Sequence, residues 1–122
     1  DMSYSGLHTW GSAVALAHLM VRDPSLVAGK RVLELGAGTG LPSLAASLHA
    51  ESVTSTDSSS ELLANVVHNA GLNAASLREG MGKIETQVLK WEDHGDLGAY
   101  DVVLGAELMH VVGDMEALAR TV

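Results

Sequence analysis

A chain of 122 residues with 47% hydrophobic content supports one domain with one core, and with two Trp, two Tyr and no Phe that core must be aliphatic. A net charge of −8 argues against a nucleic-acid partner, which needs a basic face, and suits either a basic protein partner or a plain solvated acidic surface. The absence of Cys excludes disulfides and thiolate metal sites and fits a reducing compartment, so the expected location is the cytoplasm, with the nucleus as the alternative.

Residues 1–10 read as an irregular lead-in without the basic segment of a secretory signal. The opening Asp1, in place of Met, suggests a piece of a longer protein. Ser12 is a candidate cap for a helix over 13–22, with Val14, Leu16, Ala17 and Met20 on an apolar stripe. The stretch 13–21 is too short to span a bilayer and is broken by His18, so no membrane partner is expected. Asp23-Pro24 stops the helix. Trp10, just before it, reads as a core anchor or a pocket wall.

A short apolar run at 31–35 then leads into Gly36-Ala37-Gly38-Thr39-Gly40, and Pro42 marks a helix over 42–49. A strand that breaks into a glycine turn and feeds a helix is where open α/β sheets bind nucleotide-like ligands. Dinucleotide folds use G-x-G-x-x-G, but here the spacing is G-x-G-x-G, with Leu41 in place of the third glycine of that fingerprint. Glu34 precedes the turn. A carboxylate there can accept hydrogen bonds from an ammonium or water and would repel a pyrophosphate. The E-L-G-A-G-T-G run resembles the first motif of class I S-adenosyl-L-methionine (SAM)-dependent methyltransferases, and the resemblance implies a site for SAM, which carries a sulfonium and an ammonium and no phosphate. An NAD- or FAD-type site and a ligand-free turn are the alternatives.

A second strand, 52–56, ends at Asp57, placed to accept hydrogen bonds from both hydroxyls of a ribose. Its competing role is helix capping, which Ser58, Ser59 or Ser60 can also serve. A helix over 61–70 presents Leu62, Val66 and Asn69 on one side and is expected to stop at Gly71. A loop over 72–83 precedes a third strand at 84–90, which runs into Trp91. The apolar run 101–106 reads as a fourth, central strand, followed by Glu107 and His110. The tail 114–122 has helical spacing. Strands alternating with helices give a doubly wound parallel sheet. Its strand ends would bring Glu34, Asp57, Trp91 and Glu107 to one cleft. The remaining histidines show no metal-ligand spacing, and no metal site is expected.

Five segments together carry a family resemblance: W-G-S-A at 10–13, V-L-E-L-G-A-G-T-G-L at 32–41, T-D at 56–57, V-L-K-W at 88–91 and Y-D-V-V-L-G-A-E-L-M-H at 100–110. The chain resembles methyltransferase family 16 over nearly its whole length. These are class I SAM-dependent enzymes, mainly lysine methyltransferases of non-histone proteins. The resemblance implies SAM as cofactor and a lysine-bearing protein as substrate. It implies a Rossmann-like α/β fold truncated to about four parallel strands in the order 3-2-1-4, with a lead-in and helix over 1–30 and a SAM-binding core over 31–122. The full class I sheet runs 3-2-1-4-5-7-6, so the C-terminal strands are missing and a partner chain is one candidate to cover the open edge.

By the same resemblance, Gly36, Gly38 and Gly40 lie under the methionine half of SAM with Glu34 nearby. Asp57 holds the ribose, Trp91 packs near the adenine, Trp10 lines the pocket, and the backbone at Ala106 closes the methionine end. Glu107 matches the Asp of the family's D-x-x-Y signature, and His110 stands in place of its Tyr. The catalytic pair is thus Glu107 and His110, with His110 equally readable as a polar residue at a helix start. The rival functions are an inactive SAM-fold scaffold, a small-molecule methyltransferase and, disfavoured by Glu34 and Leu41, a nicotinamide-dependent oxidoreductase.

Overall fold

A computed structural model describes residues 11–73, 83–91, 95–106 and 121. Helix α1 (Gly11–Arg22) is followed by a 3-10 turn at Pro24–Leu26, strand β1 (Arg31–Leu35) and helix α2 (Leu41–Ser47). Strand β2 (Ser52–Asp57), helix α3 (Ser60–Leu72) and strands β3 (Lys83–Val88) and β4 (Val102–Gly105) complete the described elements. The strands form one parallel sheet in the order β3-β2-β1-β4. This is the expected arrangement, and its cause is the alternation of strands with crossover helices. Among the described residues no helix is long and apolar enough to cross a membrane.

Strand β1 is buried on both faces, and its alternation sorts the core into two layers. Val32 joins Ala17, Met20, Val27, Ala45, Ala46, Val53 and Leu104 under α1 and α2. The alanines of α2 let α1 pack close, and Met20, 1% exposed, fills the space between them. Each such fully buried side chain stabilises the fold by roughly 1.5–3 kcal/mol. Helix α3 packs beside them over β2 and β3, through Leu63 and Val66. On the opposite face Leu33 and Leu35 meet Leu89, with Trp91, Leu97 and Tyr100 against them. At the N-terminal end of the sheet, Arg31 and Asp101 clamp β1 to the segment before β4. Arg31 N–H donates to Asp101 Oδ2 at 2.9 Å, and Asp101 N–H donates to the Arg31 carbonyl at 2.9 Å.

Three sequence expectations are corrected here. Ser12 does not cap α1: Gly11 before it is already helical, so Ser12 lies within the helix, and its hydroxyl is buried with no hydrogen-bond partner among the described residues. Gly71 does not end α3, which continues to Leu72. The stop is Asn73, whose side-chain amide donates to the Asn69 carbonyl at 2.7 Å and supplies the terminal bond a glycine turn would have made. Strand β4 is not central among the described strands. It pairs with β1 alone, and Val103 is 46% exposed. The expected helix over 114–122 lies outside the described residues apart from Thr121.

Candidate active site

The parallel register sets the strand ends level. Glu34 pairs with Ser55 and Leu104, Leu35 with Gly105, and Asp57 with Val88. Gly36, Asp57 and Ala106 therefore leave the sheet side by side. The chain turns over this edge through Gly36, Gly38 and Gly40, with φ of 64°, 56° and 84°. Gly40 is the residue the turn cannot replace. It caps α2 in the left-handed region, and a Cβ there would sit 2.9 Å from Val66 Cγ1.

Each part of the turn is tied to β1, β2 or α3. Ala37 N–H donates to the Thr56 carbonyl at 2.8 Å, and Gly38 N–H to Asp57 Oδ2 at 2.9 Å. Thr56 Oγ1 donates to the Glu34 carbonyl at 2.7 Å. Asn69 of α3 donates its side-chain amide to the Thr39 carbonyl at 2.7 Å. Asp57 is half-buried, and its other oxygen accepts the Ser58 N–H at 2.7 Å. The capping alternative for Asp57 falls away, because Ser59 caps α3 by accepting the Leu62 N–H at 3.3 Å. The Ser58 hydroxyl adds a longer bond to Asp57 Oδ1 at 3.4 Å, and Oδ2 retains acceptor capacity beyond the Gly38 N–H.

Glu34 takes a different position from the one expected. It is 2% exposed, and its carboxylate accepts from the Ser43 hydroxyl in the first turn of α2, so it is not presented to a ligand at the strand tip. The Ser43 N–H also points to it, and Ser43 in turn contacts Ser55 of β2. Burial pushes the Glu34 carboxyl up to about 7, with the Ser43 donors acting the other way and the Asp57 charge adding a smaller rise. In this position, directly before the glycine turn, it ties β1 to the first turn of α2. The reason is local: β1 alternation aims residue 34 at α2, and only a hydrogen-bonding partner there makes a buried carboxylate tolerable.

Trp91 is half-buried against the Leu33, Leu35 and Leu89 layer, and Ala106 is half-buried just past β4. Trp10, Glu107 and His110 lie outside the described residues. The sequence alone gave Ser43 and Ser55 no role, placed Thr56 only within the T-D segment, and gave Asn69 only a helix side. The available signals were a serine in the first turn of the small apolar helix L-P-S-L-A-A-S and an amide three residues after the buried Val66. An apolar groove of about 410 Å³ between α1 and α2 has none of the strand-tip residues in its lining. Among the described residues no group of three or more His, Asp or Glu could hold a metal ion.

A sequence profile described as lysine methyltransferase matches residues 2–122. This chain belongs to the lysine methyltransferase family. A protein N-lysine methyltransferase, METTL21A of Danio rerio, is 35% identical over 119 residues, covering 92% of this chain and 51% of the relative. The protein-lysine N-methyltransferase EFM3 of Chaetomium thermophilum is 34% identical over 128 residues, covering 96% of this chain and 37% of the relative. The family member thus spans about half or less of the length of these curated relatives. Among solved structures, the ribosomal protein L11 methylase of Lactobacillus delbrueckii subsp. bulgaricus superposes with a TM-score of 0.62 at 29% identity, covering 83% of this chain and 49% of the other.

Proposed function

We propose that this chain carries the cofactor-binding half of a SAM-dependent methyltransferase that acts on a lysine side chain of a non-histone protein. The observation that carries the reading is the Glu34 carboxyl seated on the first turn of α2. In dinucleotide-binding folds the free N–H groups at that helix start receive the pyrophosphate. Here a carboxylate takes that place, and Asp57 adds a second acid at the same turn. This pair of acceptors fits a cationic nucleoside with a free ribose and does not fit a phosphate ester. Family membership and the lysine methyltransferase relatives support the same reading.

Gly36, Gly38 and Gly40 give the ligand close approach to the backbone, and Asp57 accepts hydrogen bonds from the vicinal ribose hydroxyls. Trp91 supplies an indole for the base. When bound, the cofactor supplies an electrophilic methyl group on a sulfonium. Free lysine has a pKa of about 10.4, so the amine must lose its proton before it attacks. Burial in a narrow channel favours that loss. Glu107 orients the incoming ammonium, His110 offers a hydrogen bond beside it, and the proton leaves to water. Positioning accounts for much of the remaining rate.

The test pairs calorimetry with S-adenosylhomocysteine and transfer of a radiolabelled methyl group into cell lysate by the full-length protein, followed by mass spectrometry of the labelled residue. Binding together with label on lysine is the expected result. Glu107→Ala should abolish turnover and leave S-adenosylhomocysteine affinity within a few fold. Binding without transfer indicates a scaffold, and tryptophan quenching by NADH without any response to S-adenosylhomocysteine overturns the reading.

A further inference from the structure

We propose that Ser43 and Ser55 are positioning residues for the cofactor-binding turn, acting through Glu34 as a buried hydroxyl chain that ties β1, α2 and β2 together. The inference rests on the cofactor reading above. Glu34, Ser43 and Ser55 are all buried, and Ser55 sits opposite Glu34 in the parallel register. Ser43 donates its one hydroxyl proton to Glu34, so in its contact with Ser55 it must be the acceptor and Ser55 the donor. When Glu34 takes up a proton, the order reverses: Glu34 donates to Ser43, and Ser43 donates to Ser55. With Glu34 charged, each hydroxyl proton of the chain has an acceptor, and with Glu34 neutral its own proton still has one in Ser43, which a buried carboxyl facing apolar neighbours would lack.

The cofactor turn is anchored to this junction. Thr56, next to Ser55, accepts the Ala37 N–H at its carbonyl and donates to the Glu34 carbonyl, and Asp57 beyond it accepts the Gly38 N–H. A shift of α2 against β2 would move each of these bonds. Among the described residues the charged surroundings of Glu34 are few. Strand β2 contributes Asp57, while α2 and β4 carry no titratable side chain. On β1 itself Arg31 stands at the opposite end, paired with Asp101. Burial holds Glu34 near neutrality, and the Ser43 donors oppose that rise. Loss of the Ser43 hydroxyl therefore moves the Glu34 titration to higher pH as well as loosening the junction.

The full-length protein is compared with Ser43→Ala, Ser55→Ala, Glu34→Gln and the double variant Glu34→Gln/Ser43→Ala. Two measurements are made from pH 6 to 9: S-adenosylhomocysteine binding by calorimetry, and thermal unfolding without ligand. Ser43→Ala should weaken binding about tenfold at pH 8, the scale of a lost hydrogen bond to a charged group. It should also shift the midpoint of the pH dependence of Tm upward, and Ser55→Ala should shift it the same way by less. In the Glu34→Gln background Ser43→Ala should leave no such midpoint. A drop in Tm and affinity that is equal at every pH, or effects that simply add in the double variant, overturns the proposal. Should Ser43→Ala fail to fold, the Ser55→Ala profile decides. Should the wild type bind no S-adenosylhomocysteine, the cofactor reading fails, and the ligand-free unfolding profile still decides the role of the hydroxyl chain.

Discussion

Gly40→Ala separates two costs that the turn combines at one residue. The first is conformational. Gly40 has φ of 84°, and an L-residue there costs roughly 1–2 kcal/mol. The second is steric. The added Cβ would lie 2.9 Å from Val66 Cγ1, 3.0 Å from Cγ2 and 3.2 Å from Cβ. Val66 is fully buried in α3, and a β-branched side chain in a helix has one strongly preferred rotamer, so it cannot swing aside. Forcing a methyl group into such a contact costs about 1–3 kcal/mol. The sum, roughly 2–5 kcal/mol, is a large share of the 5–15 kcal/mol that holds a typical domain together. Urea unfolding of Gly40→Ala, Val66→Ala and the double variant resolves the parts. Val66→Ala alone should cost about 2 kcal/mol for the lost packing. In its background Gly40→Ala should cost only the conformational part, a favourable coupling of about 1–3 kcal/mol. Strict additivity would refute the steric argument and with it the claim that α3 presses directly on the turn.

Asp57→Asn keeps an acceptor for the Gly38 N–H and loses the second carboxylate oxygen. Its S-adenosylhomocysteine affinity should fall about tenfold, with an unfolding midpoint close to wild type, as read by calorimetry and denaturation; unchanged affinity would remove Asp57 from the ribose site. Glu34→Gln tests the buried carboxyl through pH. Because the folded state raises Glu34 from 4.5 to about 7, its contribution to stability is fully present below pH 4.5 and is lost as pH rises through 7. Over that window the wild type should lose about 2–3 kcal/mol relative to Glu34→Gln, which does not titrate. Denaturation of both at pH 5 and pH 8 measures this, and parallel changes would contradict it.

The sheet was legible because its signals are local and repeated. The apolar run of β1, the glycine turn after it and the acidic end of β2 each follow from a few adjacent residues. Asp57 was legible for the same reason, since its place at a strand end is a matter of chain order. What failed depends on neighbours that a linear pattern does not show. Asn73 outcompetes Gly71 as the end of α3 because its side chain reaches back one turn. The apolar sequence of β4 suits a strand covered on both sides, while the described sheet gives it one partner. Glu34 stood out as a carboxylate before a glycine turn, but the direction of its side chain was not legible. A carboxylate beside a glycine turn can face the ligand or the helix, and Ser43, nine residues later, decides between them.

That orientation matters because one glycine turn can serve either of two opposite ligands. The glycine backbone offers close approach to an anion and a cation alike, and the Ala37, Gly38 and Gly40 N–H groups are already bonded within the fold, so side-chain charge carries much of the selection. At about 5 Å, with an effective dielectric constant near 20, each carboxylate contributes about 3 kcal/mol of repulsion toward an anion. The same carboxylate attracts a sulfonium or ammonium by a like amount. A surface carboxylate could rotate away from an anion and escape most of that penalty. Glu34 cannot, because Ser43 and Ser55 hold it inside the fold. Partial protonation near neutral pH softens its charge, and Asp57 at the tip then carries the larger share of the discrimination. On the proposed reading the buried acid and the half-buried one divide the work: Glu34 sits at the helix start, where a phosphate would otherwise be received, and Asp57 stands at the strand tip, where a ribose would be met.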